Sequence, residues 1–357
     1  MKIPFPGFVH MREDAKPLAS VLLSAALFGV SAPLAKLLLG DVRPLALAGL
    51  LYLGVFLGLT VFGWGRRGGR REAPLERRDL PWLAGAVVAG GVVGPVCLMA
   101  GLDRISGFSA SLLLNFEGVA TAAIAVLLFR ENAGRRVWLA LGMMTVAGVV
   151  LSFDPGGGRF APAGPLLVVL AMLGWGLDNN LTRRISDKDP VQIARIKGLV
   201  AGTVTTAAAV ALGQGFKLDG AAAGGLVLGA FCYGLSLVLF IRALKGLGAF
   251  RTGVFFSFGP FVGSLASVLI LGDGVGFSAA AAGLLMVAGV VLVVTEKHAH
   301  SHRHERTIHA HSHRHGDDHH RHAHDGEAGE PHAHQHVHGE IEHVHGHWPD
   351  THHRHGH

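Results

Sequence analysis

The chain has 357 residues, of which 50% are hydrophobic and 16% charged, with 51 glycines and a mean hydropathy of +0.41. Soluble domains carry about 25% charged residues, so an ordinary soluble globular enzyme is disfavoured at the outset. Residues 1–295 hold 25 Lys and Arg against 15 Asp and Glu, residues 296–357 hold 6 against 10, and 23 of the 24 histidines lie between His298 and His357.

Residues 1–16 are polar, and the start MKIPFPGFVHMREDAKP shows no cleavable signal peptide. A spanning helix needs about 20 mostly apolar residues to cross about 30 Å of hydrocarbon. Ten runs qualify, near 17–39, 45–64, 81–101, 106–129, 137–153, 164–182, 191–212, 222–241, 248–271 and 276–295. They are too long, and too uniformly Leu, Val, Ala and Gly, for barrel strands of alternating polarity. The expectation is an all-α polytopic membrane protein of ten transmembrane helices. Its parts are a cytoplasmic N-terminus (1–16), a first five-helix repeat (17–154), a second (163–296) and a His-rich tail (297–357). The two cysteines, Cys97 and Cys232, sit in apolar runs and offer neither a disulfide framework nor a thiolate metal site.

Lys and Arg alternate between connections. The N-terminus has Lys2, Arg12 and Lys16; the second connection has six arginines between Arg66 and Arg78. The fourth has Arg130, Arg135 and Arg136; the sixth has Arg183, Arg184 and Lys188; the eighth has Arg242, Lys245 and nearby Arg251. Odd connections hold at most one each, namely Arg43, Arg104, Arg159 and Lys217. The positive-inside rule places both termini in the cytoplasm of a plasma or bacterial inner membrane. The G-x-x-x-G pairs Gly90/Gly94, Gly198/Gly202, Gly225/Gly229 and Gly259/Gly263 read as helix-packing faces, and Trp64 and Trp82 as interfacial anchors.

Residues 100–131 align without gaps on residues 242–273 at an offset of 142, matching Leu102 to Leu244, Phe108 to Phe250, Phe116 to Phe258 and Leu127 to Leu269. At a slightly different offset FGVSAPLAK (28–36) lies beside WGLDNNLTR (175–183). Five spans per half make the second half inverted, the layout of secondary transporters with a mid-membrane site.

On the Phe28–Lys36 run, the Ser109–Leu114 lead into the fourth span, its Phe129-Arg130-Glu131 end, and the second copies at Trp175–Thr182 and Phe255–Asp273, the chain resembles the drug/metabolite transporter superfamily with two EamA domains. The resemblance covers about residues 17–296 and implies a solute transporter. Family members usually carry a proline in the fourth helix; here that position is Gly118, while the second copy keeps Pro260.

A charged side chain at the bilayer centre costs about 2.5–3.5 kcal/mol on insertion scales, so each one needs a reason. Glu117 lies mid-span, and its counterpart is Gly259. It reads either as a substrate or proton site or as a permanently protonated acid bonded between helices. Asp178, Asn179 and Asn180 cannot share one helix face; Arg195 and Lys197 lie at the same depth on the next span, and an Asp178–Arg195 pair is expected, serving the pathway or gluing a hairpin. Asn115 and Trp175 are cavity-lining candidates, Trp175 equally an ordinary packing aromatic. Lys36 is a pathway candidate that can also snorkel to the interface.

The tail repeats H-x-H: His298, His300, His302, His304, His309, His311, His313, His315, then His332, His334, His336 and His338 among further clusters. Without apolar periodicity it reads as disordered. Imidazoles at i and i+2 suit Zn, Ni or Co.

No P-loop, H-E-x-x-H or G-x-S-x-G occurs, so the chain reads as a non-enzyme that works without ATP and requires no cofactor. The foremost function is secondary transport of small organic solutes, coupled to protons, with the tail binding transition metal. The partners are the bilayer, a small-molecule substrate and the tail's metal, without nucleic acid. Two alternatives are a transition-metal exporter with the tail as collector, and a non-transport scaffold or metal sensor. Against the exporter, no histidine occurs from Met11 to Lys297.

Overall fold

A computed structural model describes residues 15–64, 73–129, 135–152, 161–186, 188–294, 299–304, 307–313, 332–338 and 341–346. The expectations for residues 1–14, for Arg66, Arg67, Arg70 and Arg71, for Arg130, Glu131 and Arg159, and for His298 and His315 lie outside the described residues.

The first pass is α1 (Ala15–Gly29) and α2 (Ser31–Leu38), broken at Val30, and the second is α3 (Pro44–Trp64). The third joins α4 (Leu80–Ala86), a π-helical stretch Val87–Val93 and α5 (Gly94–Leu102). The fourth is α6 (Gly107–Leu113) and α7 (Phe116–Phe129), and the fifth is α8 (Arg135–Val150). The second half begins with α9 (Ala163–Arg183) and α10 (Pro190–Ala211). It continues through α11 (Gly220–Leu228), a second π-helical stretch Gly229–Leu235, α12 (Ser236–Phe256), α13 (Gly259–Leu271) and α14 (Phe277–Val294).

Helix α12 contains a reversal. Phe240 and Phe256 are sixteen positions apart, which a straight helix would separate by about 24 Å, yet their rings meet at 4.8 Å. The chain therefore doubles back between them, where the sequence predicts the eighth connection. Among the described residues the helices make the ten passes expected. Outward positions such as Leu22, Val61, Leu127, Leu269 and Leu284 are exposed apolar side chains, as a lipid-facing surface requires.

The two halves carry the same irregularities at nearly the same spacing. The π-helical stretches start at Val87 and Gly229, 142 positions apart. The turn at Leu114–Asn115 interrupts the fourth pass, and its counterpart at Ser257–Phe258 interrupts the ninth. Packing between the halves is mirrored as well. α3 lies on α10 and α8 on α14, α1 packs on α12 and α13, and α9 packs on α5 and α7. Reciprocal bonds tie α1 to α12: Ser24 Oγ donates to the Ser236 carbonyl at 2.7 Å, and Ser236 Oγ to the Ser24 carbonyl at 3.0 Å.

The α3–α10 crossing depends on Gly198 and Gly202. A Cβ at Gly202 would sit 2.6 Å from Leu53 N, and one at Gly198 would sit 2.7 Å from Phe56 N. Backbone cannot retreat as a flexible side chain can, so the helices meet only because both positions lack a side chain.

Connections link at both ends of the bundle. Ala73 bridges Lys188, Leu75 N donates to Gln192 Oε1 at 2.9 Å, and Asp189 N donates to the Ala73 carbonyl at 2.9 Å. At the opposite end Phe108 N donates to Asp273 Oδ2 at 2.9 Å, and Lys36 Nζ donates to the Leu102 carbonyl at 2.6 Å. The second and sixth connections thus share one face, and the third and ninth the other, as the charge alternation predicts.

In the tail, where the sequence reads as disordered, four segments are strands: β1 (Ala299–His304), β2 (Thr307–His313), β3 (His332–His338) and β4 (Ile341–Gly346). β1 pairs antiparallel with β4, and β2 with β3. The H-x-H period of two is the period of a strand, a signal that low apolar content masks.

Overpacking a tight crossing costs about 1–3 kcal/mol. Gly202→Leu is expected to lower the thermal midpoint of the detergent-solubilised protein, while Gly118→Leu, at a position open on all sides, leaves it unchanged. Equal midpoints for the two variants would contradict this packing.

Candidate functional site

Helix α9 carries three polar residues in succession, and successive helical residues point about 100° apart. The helix can therefore serve two neighbours at once.

Toward α10, Asp178 accepts from Lys197 Nζ at 2.6 Å on both carboxylate oxygens, and Thr182 Oγ1 donates to Oδ1 at 2.8 Å. Asp178 is 7% exposed and Lys197 2%. The expected Asp178–Arg195 pair is corrected here. Lys197 lies on the buried stripe of α10 with Ile193, Ala194 and Ala201, whereas Arg195, two positions earlier, is turned well away from it, and its Nε has no hydrogen-bond partner among the described residues.

Toward α7, Asn179 Nδ2 donates to Glu117 Oε1 at 2.9 Å and to Thr121 Oγ1 at 3.2 Å, and Thr121 Oγ1 donates to the Glu117 carbonyl at 2.8 Å. Asn180 Nδ2 adds bonds to the Thr121 carbonyl at 2.9 Å and the Gly176 carbonyl at 2.8 Å. Glu117 is partly buried and makes no ion pair among the described residues. Its counterpart position explains the asymmetry. A Cβ at Gly259 would sit 2.8 Å from the Ala25 carbonyl oxygen, so the second half has no room for an acid.

One turn earlier on α9, Trp175 Nε1 donates to the Gly90 carbonyl at 2.9 Å, which also accepts from Tyr52 OH at 2.6 Å. Gly90 belongs to the π-helical stretch, a widened turn of the kind found at functional sites. No side chain fits at Gly90, which abuts the Asp178 carboxylate, or at Gly94, where a Cβ would sit 2.6 Å from Trp175 Nε1. This glycine pair, expected only to pack helices, shapes the site.

Trp175 meets Phe28, its repeat counterpart, edge-on at 5.4 Å, and Tyr233 at 6.4 Å. Tyr52 and Phe28 each lie 6.1 Å from Tyr233, and Phe256 lies 5.4 Å from Phe28. This central aromatic cluster takes one ring from each of five passes. Sequence reasoning missed Tyr52 and Tyr233; the available signal was that they are the only two tyrosines in the chain.

The remaining candidates stand apart. Asn115 lies in the turn between α6 and α7, its Nδ2 donating to the Leu112 carbonyl at 2.9 Å while its buried Oδ1 has no partner among the described residues. Lys36 caps the C-terminal end of α5 at the far face. Trp82 stacks under the Arg184 guanidinium at 5.2 Å, near the linked connections. Among the described residues no three His, Cys, Asp or Glu side chains converge as a metal requires.

The linked connections hold a second buried cation. Lys188, 2% exposed, donates to Glu76 Oε1 at 2.7 Å and lies 3.7 Å from Asp79 Oδ2. The hydrogen bond from Lys188 holds the Glu76 carboxyl below the ordinary glutamate value of 4.5.

A family model described as the EamA-like transporter family matches residues 16–153 and 162–295. An uncharacterized transporter of Methanothermobacter thermautotrophicus is 26% identical over 290 residues, covering 77% of this chain and 84% of that protein. An uncharacterized protein of Pseudomonas aeruginosa is 27% identical over 201 residues, covering 56% of this chain and 69% of that one. A solved crystal structure superposes with a TM-score of 0.55 at 17% identity, covering 76% of this chain and 94% of that chain, a likeness of fold.

Breaking a buried pair by removing one partner costs about 3–5 kcal/mol. Lys197→Met is expected to destabilise the protein strongly, and Lys197→Met with Asp178→Asn to recover much of the loss, read by thermal unfolding in detergent. A double variant no better than the single would refute the pairing. At the linked connections, the folded-state value of Glu76 is depressed, so its contribution is present above the ordinary glutamate range and lost as pH falls through the depressed value. Glu76→Gln should therefore unfold earlier than wild type at neutral pH and coincide with it in acid; a gap that persists in acid would contradict the Lys188 contact.

Proposed function

The chain belongs to the EamA-like transporter family, and from that premise we propose that it is a secondary transporter of small organic solutes driven by protons at Glu117. The observation that carries this reading is a lone carboxyl, bonded to a neutral amide at the α7–α9 crossing, at a position where the other half has glycine. A carboxyl without a cation partner can be neutral with a proton and charged without one. The Asp178–Lys197 pair, balanced within itself, does not present that choice.

Alternating access needs the proton and the solute to compete for, or share, one site between the halves. Asn179 touches Glu117, and its neighbours Asp178 and Trp175 touch α10 and the third pass. A change of charge at Glu117 therefore acts on the helix that contacts both. The aromatic cluster beside it suits an organic solute with an apolar part. Export or uptake of such a metabolite across the plasma membrane, with both termini in the cytoplasm, completes the reading.

In proteoliposomes an imposed pH gradient is expected to drive flux of a responsive solute from a metabolite panel. Glu117→Gln should reduce pH-driven flux to the vesicle background while leaving solute exchange measurable, and Asn179→Ala should weaken both. Proton-coupled flux that survives Glu117→Gln would overturn the assignment.

A further inference from the structure

Several hydroxyls inside the bundle are satisfied by their own helix, as is common in helix interiors. Thr60, Thr121 and Ser152 each donate to the carbonyl four positions earlier, at 2.6–2.8 Å. Ser31 makes no such bond. It is fully buried in the first turn of α2, just past the break at Val30, and its Oγ has no hydrogen-bond partner among the described residues. Tyr233, in the second π-helical stretch, is 7% exposed, and its phenolic oxygen has no partner among them either. The two hydroxyls are neighbours, one from each half, yet they do not meet in hydrogen-bonding geometry. A buried hydroxyl without a partner is costly in an apolar interior. Two of them side by side therefore point to a partner that is not part of the chain.

The corresponding groups across the centre are paired. Tyr52 OH and Trp175 Nε1 both donate to the Gly90 carbonyl, at 2.6 and 2.9 Å. Asp178, which the repeat alignment sets opposite Ser31, is bound to Lys197 and Thr182. The unpaired hydroxyls thus mark one side of the aromatic cluster. The Tyr233 ring lies 6.1 Å from Phe28 and from Tyr52, and 6.4 Å from Trp175, so an apolar body held by these rings lies beside both hydroxyls.

The hydroxyl pair carries no charge. Lys197 is held by both oxygens of Asp178 and is not free to pair with a carboxylate solute. Glu117 serves the proton in the reading above. A phenol and an alcohol that can each donate and accept suit a neutral amide, carbonyl or hydroxyl.

We propose that Ser31 and Tyr233 are the specificity-determining groups for the polar end of the solute. The solute is a neutral compound in which an amide, carbonyl or hydroxyl group is joined to an apolar or aromatic body. This rests on the reading of the chain as a transporter of organic solutes and names the class of solute. Both hydroxyls are sealed from solvent in this conformation, so the solute reaches them when the halves part.

Three probes share one body and differ in charge: 3-phenylpropanamide, 3-phenylpropanoate and protonated 3-phenylpropylamine. Binding to the full-length protein in detergent is read from the thermal midpoint against probe concentration, up to the millimolar range. The amide is expected to raise the midpoint more than either charged probe. Tyr233→Phe keeps the ring and removes the hydroxyl, and Ser31→Ala does the same for the smaller group. Each is expected to weaken amide binding by about tenfold while leaving the midpoint without probe at or above that of wild type, because neither hydroxyl bonds within the protein. The proposal is overturned if the amide does not stabilise wild type, if a charged probe stabilises it more, if either variant binds the amide as wild type does, or if either variant unfolds earlier than wild type without probe. No pH gradient is applied, so this result and the pH-driven flux that tests Glu117 can fail separately.

Discussion

A carboxylate and an ammonium 2.6 Å apart, both cut off from water, set the terms for the helices around them. Asp178 and Lys197 can remain in the bundle only while held together, since hydrocarbon offers no substitute for either partner. Their contact fixes the rotation of α9 against α10. Once α9 is fixed, Asn179 must face α7 and Trp175 must face the third pass. The bond to Glu117, the bonds to the Gly90 carbonyl and the edge-on contact with Phe28 all depend on that rotation. Gly90 completes the arrangement by leaving space for the carboxylate.

The pseudo-symmetry explains which parts of the centre are duplicated and which are singular. Paired irregularities, the π-helical stretches and the mid-pass turns, occur in both halves and belong to the scaffold. Glu117 occurs only in the first half, and Asp178 and Lys197 only in the second: Gly259 stands opposite Glu117, and Ser31 opposite Asp178 in the repeat alignment. The frame is duplicated and the charges are not.

Much of the scaffold was legible in the sequence because the bilayer imposes a simple length rule, and the ten runs obey it. The depth of Glu117 and of the α9 polar triplet followed from the same rule. The partner of Asp178 did not, because Arg195 and Lys197 have equal depth and only the packed stripe of α10 separates them. The π-helical stretches were hidden in valine and glycine runs with no distinguishing composition. The reversal inside α12 falls at the basic stretch of Arg242, Lys245 and Arg251 that marks the eighth connection in the sequence, although the helix is continuous through it.

The buried ion pair also bears on how the protein reaches the membrane. α10 carries Gln192, Arg195 and Lys197 in its first two turns, and it has the lowest hydropathy of the candidate spans found among the described residues. α9 carries the matching acid and is separated from α10 by only the short connection between Arg183 and Pro190. Synthesised as consecutive hairpin arms, the two can neutralise each other while still beside the translocation machinery. The contact that orients the centre of the mature protein thus also provides a passport for the charged first turns of α10.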